Sequence, residues 1–168
     1  EQINGGDPEV SEAQIERLLI YMQTLAPPRQ RDIQNEVIIK GQKLFVDIGC
    51  ENCHTSTYTT GVHPHHPELS NRIIKPYSDF LLHDMGSGLD DGLPEGEAKS
   101  YEWKTPPLWG IGLVKVVNKH TRFLHDGRAK SIEEAILWHD GEALKAKKNY
   151  TSLSIKDRKN ILRFLNSL

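Results

Sequence analysis

Residues 50–54 read Cys50-Glu51-Asn52-Cys53-His54, a C-x-x-C-H sequence around which the rest of the chain is interpreted. Two thiols three positions apart can each add to one vinyl group of a haem, and the histidine that follows can coordinate the iron. A zinc site would need a second Cys or His pair at matching spacing, and the chain has only these two cysteines. The motif therefore predicts one covalently bound haem c with His54 as an axial ligand.

Length and charge limit the function classes. The 168 residues, of which 37% are hydrophobic, suffice for one core. The 21 Lys and Arg residues are scattered among 23 Asp and Glu residues, so the sequence predicts no nucleic-acid binding. No run of 18 or more apolar residues occurs, and no transmembrane segment is predicted.

The compartment is predicted from the cofactor, because c-type haems are attached on the outer side of the bacterial inner membrane. We therefore expect the periplasm or an equivalent exported space. The chain begins at Glu1 rather than Met, which favours a product whose export signal has been removed.

Hydrophobic periodicity predicts an N-terminal helix over residues 12–25, capped by Ser11 and ended by Pro27 and Pro28. Its apolar face is expected to lie in the core and consists of Ile15, Leu18, Leu19 and Met22. Residues 1–33 are interpreted as this helix and a linker, and residues 34–168 as a haem domain.

Two further helices are predicted around the haem domain. One spans residues 34–48 and is closed by Gly49, and the other spans residues 154–168, where Ser154 and Asp157 form a capping pair. This arrangement resembles the cytochrome c fold, in which the first and last helices cross at a glycine and an aromatic residue. The resemblance implies an all-α, cytochrome c-like single-haem domain with long loops, in which Gly41 and Phe45 meet Phe164 or Leu165.

Two turn-rich segments separate these helices. Residues 55–70 contain His63, His65 and His66, which are interpreted as solvated side chains in preference to a surface metal site. Residues 86–97 offer oxygen ligands suited to calcium, but their spacing matches no calcium-binding loop, and calcium is the less favoured interpretation. These ligands would be Asp90, Asp91, Glu95 and Glu97.

The second axial ligand would decide the chemistry of the iron. Ser131 and Glu134 predict the start of a short helix, and His139 falls on its apolar face. A histidine on an apolar face is more often a core residue, but an open iron position favours ligation. The other candidates are Met85, His83, His125 and, more weakly, Met22.

Three runs of sequence carry a more specific resemblance. They are TPPLWGIGL at 105–113, TRFLHDGRAKSIEEAILWHDGEA at 121–143 and ILRFLNSL at 161–168. They resemble the C-terminal haem domain of a bacterial di-haem family of thiol oxidoreductases or putative peroxidases. That family is similar to the di-haem cytochrome c peroxidases and to the di-haem enzyme that matures methylamine dehydrogenase.

The resemblance implies a distal ligand fourteen positions beyond the histidine of the HDG turn, and counting from His125 leads to His139. The relatives have methionine or tyrosine there, so histidine is a departure that implies a bis-histidine iron of lower potential. Met85 falls in a loop to which the relatives assign no ligand. His139 is therefore preferred to Met85.

The HDG turn supplies two further candidates for haem contacts. His125 is expected to form a hydrogen bond near the haem edge. Arg128 is either a bidentate partner of a haem propionate or an ordinary solvated arginine. Trp109 and Trp138 are interpreted as core residues rather than as electron-tunnelling groups.

The chain has no second C-x-x-C-H, whereas the di-haem relatives use two haems. It is therefore interpreted as an electron-transfer cytochrome domain that is either free-standing or half of a larger enzyme. Its partner would be a redox protein or a second haem domain. The alternatives are a peroxidase-like oxidoreductase, in which His139 or Met85 dissociates from the iron, and a haem-based sensor, so enzymatic activity is left open.

Overall fold

The computed structural model describes Gly6 and residues 8–168, in which helices dominate. The elements in chain order are α1 (Glu12–Thr24), α2 (Glu36–Asp47), β1 (Tyr58–Thr59), β2 (Ile73–Ile74), β3 (Leu82–Asp84), β4 (Glu102–Lys104), α3 (Val114–Asn118), α4 (Ile132–Trp138), α5 (Leu144–Ser152) and α6 (Ile155–Ser167).

Two small antiparallel sheets interrupt the helical architecture. Strand β1 pairs with β2, and β3 pairs with β4. They lie in the long connection after the C-x-x-C-H motif, where short extended segments satisfy their backbone N–H and C=O groups by pairing with each other. The all-α prediction is therefore wrong in this connection, and the fold is helix-rich rather than purely helical.

The core is organised by the crossing of α2 and α6. A Cβ atom at Gly41 would lie 2.1 Å from the backbone oxygen of Asn160, so the two helix backbones meet at this glycine. Close by, the rings of Phe45 and Phe164 pack edge to face with centroids 5.4 Å apart. Phe164 and Ile161 are completely buried. The predicted contact of Gly41 and Phe45 with Phe164 is confirmed.

Local capping sets the ends of these two helices. The Asn35 side chain accepts a hydrogen bond from Val37 N at 2.9 Å at the start of α2. Gly49, which follows the end of α2, adopts a φ of 92°, a left-handed conformation that glycine takes without strain. Ser154 Oγ accepts a hydrogen bond from Asp157 N at 3.1 Å at the start of α6. The predicted Ser154–Asp157 cap is confirmed.

The linker before α2 covers the C-terminal end of α6. Arg31 N donates to Ser167 O at 2.8 Å, and the Arg31 guanidinium donates to Asn166 O. Gln30 Nε2 lies 3.1 Å from Ser167 Oγ. The two Arg31 donors satisfy carbonyl groups that have no partner within α6, and the Arg31 charge suits the negative end of the helix dipole.

Helix α1 differs most from expectation. It forms almost where predicted, but none of its residues is buried. The apolar residues predicted to lie in the core are instead 47% to 59% exposed and are Ile15, Leu18, Leu19 and Met22. Periodicity identifies an apolar face but not the surface that covers it. Within the described part of the chain, no helix is long and apolar enough to cross a bilayer.

Candidate functional site

A cavity of about 770 Å³ lies between α2, α6 and the segments that follow β4. Its size falls within the range of cofactor-binding pockets. The cavity is lined by Cys50, Cys53 and His54 and by four of the distal candidates, namely His139, Met85, His125 and His83. The structure therefore brings together residues that are as much as 89 positions apart, from Cys50 to His139.

A tight turn places the C-x-x-C-H motif on the cavity wall. Cys50–Asn52 form a single 3₁₀ turn, and His54 N donates to Cys50 O at 3.0 Å. Asp79 N donates to Cys53 O at 2.7 Å, which holds the turn against the loop before β3. Desolvation raises the pKa of Cys50 to about 12 and raises that of Cys53 as well. Burial thus favours the neutral thiol form of both groups.

The ring of His54 is oriented by the backbone. Its Nδ1 donates a hydrogen bond to Tyr77 O at 2.9 Å, which leaves the Nε2 lone pair available. Desolvation lowers the pKa of His54 to about 4, against the opposing effect of the Tyr77 carbonyl. The imidazole is therefore neutral at physiological pH, as a metal ligand must be.

His139 is held in a similar way. It follows the last residue of α4, so it caps this helix rather than lying within it as predicted. Its Nδ1 donates to Ala135 O at 2.7 Å, and desolvation lowers its pKa. His139 therefore also offers a neutral ring with Nδ1 occupied.

The two rings are spaced like ligands on opposite sides of one metal. Their centres are 6.5 Å apart, and the planes are inclined by 44°. Metal–nitrogen bonds of about 2 Å, with about 1 Å from each nitrogen to its ring centre, would separate trans imidazoles by about 6 Å. The chain's residues thus fit a haem with Cys50 and Cys53 as attachment points and with His54 and His139 as ligands.

His83 lines the same cavity but is already fully bonded. Its Nε2 lies 2.7 Å from Asp79 Oδ2, and its Nδ1 lies 2.8 Å from Glu142 Oε2. Below its raised pKa, His83 donates one N–H to each carboxylate and has no free lone pair. Burial alone would lower the pKa of His83, but the hydrogen bonds to Glu142 and Asp79 outweigh it and raise the pKa.

Among the described residues, Cys53, Asp79 and His83 form the one group of three potential metal ligands within 4.8 Å of one another. Within this group His83 Nε2 lies 2.7 Å from Asp79 Oδ2, so its histidine and carboxylate belong to an ion-pair network. The network joins the loop beside Cys53 to Glu142, three residues beyond His139. His83 thus links the two walls of the cavity.

This link predicts a pH-dependent stability. The folded pKa of His83 lies above its unfolded value of about 6.5, so its stabilisation is complete below that pH and is lost as pH rises through the folded pKa. The pKa values of Asp79 and Glu142 are lowered in the folded protein, so the stabilisation that these two carboxylates contribute is lost as the pH falls through those values. We expect His83→Gln to cost about 1 to 3 kcal/mol at pH 6 and less at higher pH. Urea unfolding of both proteins across this range measures the difference, and a pH-independent difference would contradict the assignment.

The two candidates of the HDG turn differ in position. His125 lines the cavity and stacks on Trp103, with ring centroids 3.5 Å apart and an interplanar angle of 7°. Arg128 does not line it. Its guanidinium donates to Asp126 and to Gly88 O and lies over the Trp138 ring at 4.8 Å. The propionate role of Arg128 remains a prediction to which these contacts add no support.

The tryptophans also differ from each other. Trp109 lines the cavity and is half-buried, whereas Trp138 is 37% exposed, so its predicted core position is wrong. Sequence reasoning missed three cavity-lining cations, namely Lys104, Lys145 and Lys147. The KAKK run at 145–148 was the available signal, but nothing local shows which lysines face inward.

The remaining candidate ligands bond within their own loops. Asp90 Oδ1 accepts from Gly92 N at 2.8 Å, and Asp91 Oδ1 accepts from Leu93 N at 2.9 Å. His63 Nδ1 accepts from His66 N at 3.0 Å. In the described ranges neither segment brings three potential ligands within 4.8 Å, including Glu95, Glu97 and His65. Neither calcium nor a surface metal gains support here.

Comparison with known proteins gives one result. The sequence model of a family described as "Di-haem oxidoreductase, putative peroxidase" matches residues 2–168 of the chain. No curated protein and no solved structure matches it.

Proposed function

Because the chain belongs to the di-haem oxidoreductase family and therefore has a haem-binding redox role, we propose that it is an electron-transfer domain with one covalent haem c. In this proposal Cys50 and Cys53 form the thioether bonds. His54 and His139 are the two axial ligands.

One observation carries this proposal. Two neutral histidines face each other across 6.5 Å in the cavity that the C-x-x-C-H motif also lines. Each ring has its Nδ1 fixed by a backbone carbonyl, at Tyr77 and Ala135, so each presents Nε2 without needing to rearrange. If both rings keep this orientation when the iron is oxidised and when it is reduced, no axial position opens for a substrate. Fixed ligands therefore favour one-electron transfer over substrate binding at the iron.

A bound haem would supply the one-electron chemistry, and the protein would supply the apolar pocket and the axial ligands. Phe45, Ile48 and Leu165 provide apolar wall on the α2 and α6 side. His54 and His139 stay neutral because their surroundings disfavour the charged form. Two imidazole ligands favour a lower potential than a histidine and a methionine would.

We also propose a cytochrome c-like fold and a periplasmic or equivalent exported location. The close crossing of α2 and α6 at Gly41, beside the C-x-x-C-H turn, supports the fold. The location is supported by the chemistry of haem c attachment alone. The family's description names two haems, whereas the chain's two cysteines can attach one haem through thioether bonds. The partner in electron transfer would therefore be a redox protein or a second haem domain.

The second candidate function is a peroxidase-like oxidoreductase, which the family's description favours. In this case the distal ligand would leave the iron on activation. His139 lies at a helix end, with Gly141 in a left-handed conformation two residues later, so its segment is not locked inside a helix. A haem-based sensor would need the same ligand loss without turnover.

Visible spectra and ligand reactivity separate these functions. An electron-transfer domain should be low-spin in both oxidation states and react slowly with carbon monoxide and hydrogen peroxide. Rapid carbon monoxide binding by the reduced protein, with turnover of peroxide, would favour the oxidoreductase. Carbon monoxide binding without turnover would favour the sensor.

Covalent attachment gives a separate prediction. After denaturation in acid, the haem should stay on the polypeptide, which gains the mass of one haem and has no free thiols. Mass spectrometry and thiol titration measure both. Cys50→Ser or Cys53→Ser should each leave a single thioether and lower the yield of holoprotein several-fold. Complete extraction of the haem into organic solvent from the unaltered protein would refute the attachment.

A further inference from the structure

Helix α1 has a two-part surface that nothing in the described chain covers. Its apolar face, defined above by Ile15, Leu18, Leu19 and Met22, is about half exposed. Glu12 and Glu16 are one helical turn apart and form an acidic edge along one side of this face. Neither glutamate has a salt-bridge partner among the described residues. A 13-residue amphipathic helix with no partner would be marginal in water.

A second uncovered surface lies between α2 and α6 and shares no lining residue with the haem-binding cavity. It is a groove of about 840 Å³, and we call it the cationic groove. Its defining residues are Arg31, Lys156, Lys159 and Arg163, and Val37 and Ile155 form its apolar wall. Ile155 is 65% exposed and Val37 is 44% exposed.

Three of the four cations of this groove lie on α6. Lys156, Lys159 and Arg163 follow one another at i, i+3 and i+7 on α6, so they form a row about 10 Å long. None of the three has a carboxylate within salt-bridge distance in the described part. One acidic residue, Asp32, lines the groove beside four basic ones. The row therefore suits an elongated acidic surface better than a single small anion.

The two surfaces are complementary in charge and in polarity. The acidic edge of α1 is matched by the cationic row, and the apolar face is matched by the wall of Val37 and Ile155. We propose that α1 of one copy of this protein docks into the cationic groove of a second copy, and reciprocally, so that the protein forms a two-fold symmetric dimer.

The path of the linker favours a second copy over the same chain. Pro28 packs against Gly110, because a Cβ atom there would lie 3.1 Å from Pro28 Cγ. Gly110 N in turn donates to Leu168 O at 2.9 Å, so this contact holds the linker at the C-terminal end of α6. Gln30 and Arg31 are then fixed at the end of α6. The linker thus leaves α1 outside its own groove, which no residue of this helix lines.

Reciprocal charge reversal tests the proposal on the haem-loaded protein. The α1 variant is Glu12→Lys/Glu16→Lys, and the groove variant is Lys156→Glu/Lys159→Glu. The matched control is Lys75→Glu/Lys148→Glu, which reverses two exposed lysines outside the groove and changes the net charge as much as the groove variant does. Sedimentation equilibrium at low salt measures association, and the haem spectrum and circular dichroism report folding.

The unaltered protein and the control should dimerise, and each of the other two variants should raise the dimer dissociation constant about tenfold or more. An equimolar mixture of the α1 variant and the groove variant should form a heterodimer, because each of its two contacts again joins opposite charges. High salt should weaken every one of these dimers.

Three results would overturn the proposal. They are a monomeric unaltered protein at all concentrations, reversed variants that dimerise as well as the control, and a mixture that remains monomeric although both variants fold. The contact is independent of the proposed function. If that function also holds, the dimer carries two haems, and a failed dimer with an intact haem spectrum would affect this inference alone.

Discussion

Replacing His139 with alanine is expected to convert a six-coordinate, low-spin haem into a high-spin haem that binds carbon monoxide rapidly when reduced. The reason is that His139 is the group whose neutral ring faces His54 at 6.5 Å, with its Nδ1 already held by Ala135 O. Its loss opens one axial position and should raise the potential, because imidazole donates strongly to ferric iron. Visible spectroscopy, carbon monoxide binding and a redox titration measure the three effects.

Met85→Ala is the matched control, because Met85 lines the same cavity and is the competing ligand. It should leave the spectrum and the carbon monoxide reactivity unchanged. The unaltered protein should also lack the long-wavelength absorption band that sulfur ligation gives. If Met85→Ala produced the high-spin haem and His139→Ala did not, the iron would be ligated by His54 and Met85, and bis-histidine ligation would be wrong.

Replacing Gly41 with alanine is expected to destabilise the fold by about 3 kcal/mol or more, beyond the usual cost of overpacking a core. The added Cβ would lie 2.1 Å from Asn160 O and 2.8 Å from Phe164 Cβ, and the nearest neighbour is backbone that cannot rotate away. Helices α2 and α6 would have to separate, which would loosen the Phe45–Phe164 contact. Urea unfolding followed by circular dichroism measures the loss.

Gly61→Ala provides the matched control, because a Cβ at Gly61 would meet nothing within 4 Å. We expect its unfolding free energy to lie within about 0.5 kcal/mol of that of the unaltered protein. An equally stable Gly41→Ala protein would mean that the two helices cross less closely than described here.

The features that the sequence predicted well depend on local chemistry. The C-x-x-C-H spacing, the left-handed Gly49 and the Ser154–Asp157 cap involve residues within a few positions of each other, so their geometry follows from the chain itself. The crossing at Gly41 was predicted from the resemblance to the cytochrome c fold, and the structure shows this contact. His139 was chosen as a ligand from an offset that the family resemblance implies, and its ligation stays a prediction.

Other features follow only from the tertiary structure. The sequence made His83 a candidate ligand, but in the structure its two ring nitrogens contact the carboxylates of Asp79 and Glu142. Glu142 is 59 positions away from His83 in the sequence. Arg128 had a plausible charge, but its contacts with Asp126 and Gly88 depend on how the loop folds. Hydrogen-bond partners over such separations are set by packing, which no local pattern encodes.

By itself, the sequence determined the C-x-x-C-H motif and the three main helices, because these depend on covalent spacing and local hydrogen bonding. The tertiary structure decided which surfaces are covered. Helix α1 shows the difference, because the spacing of its apolar residues is typical of a helix that packs against a core, and yet these residues are exposed. Burial depends on the elements that surround a face in space, and periodicity along one helix contains no information about them.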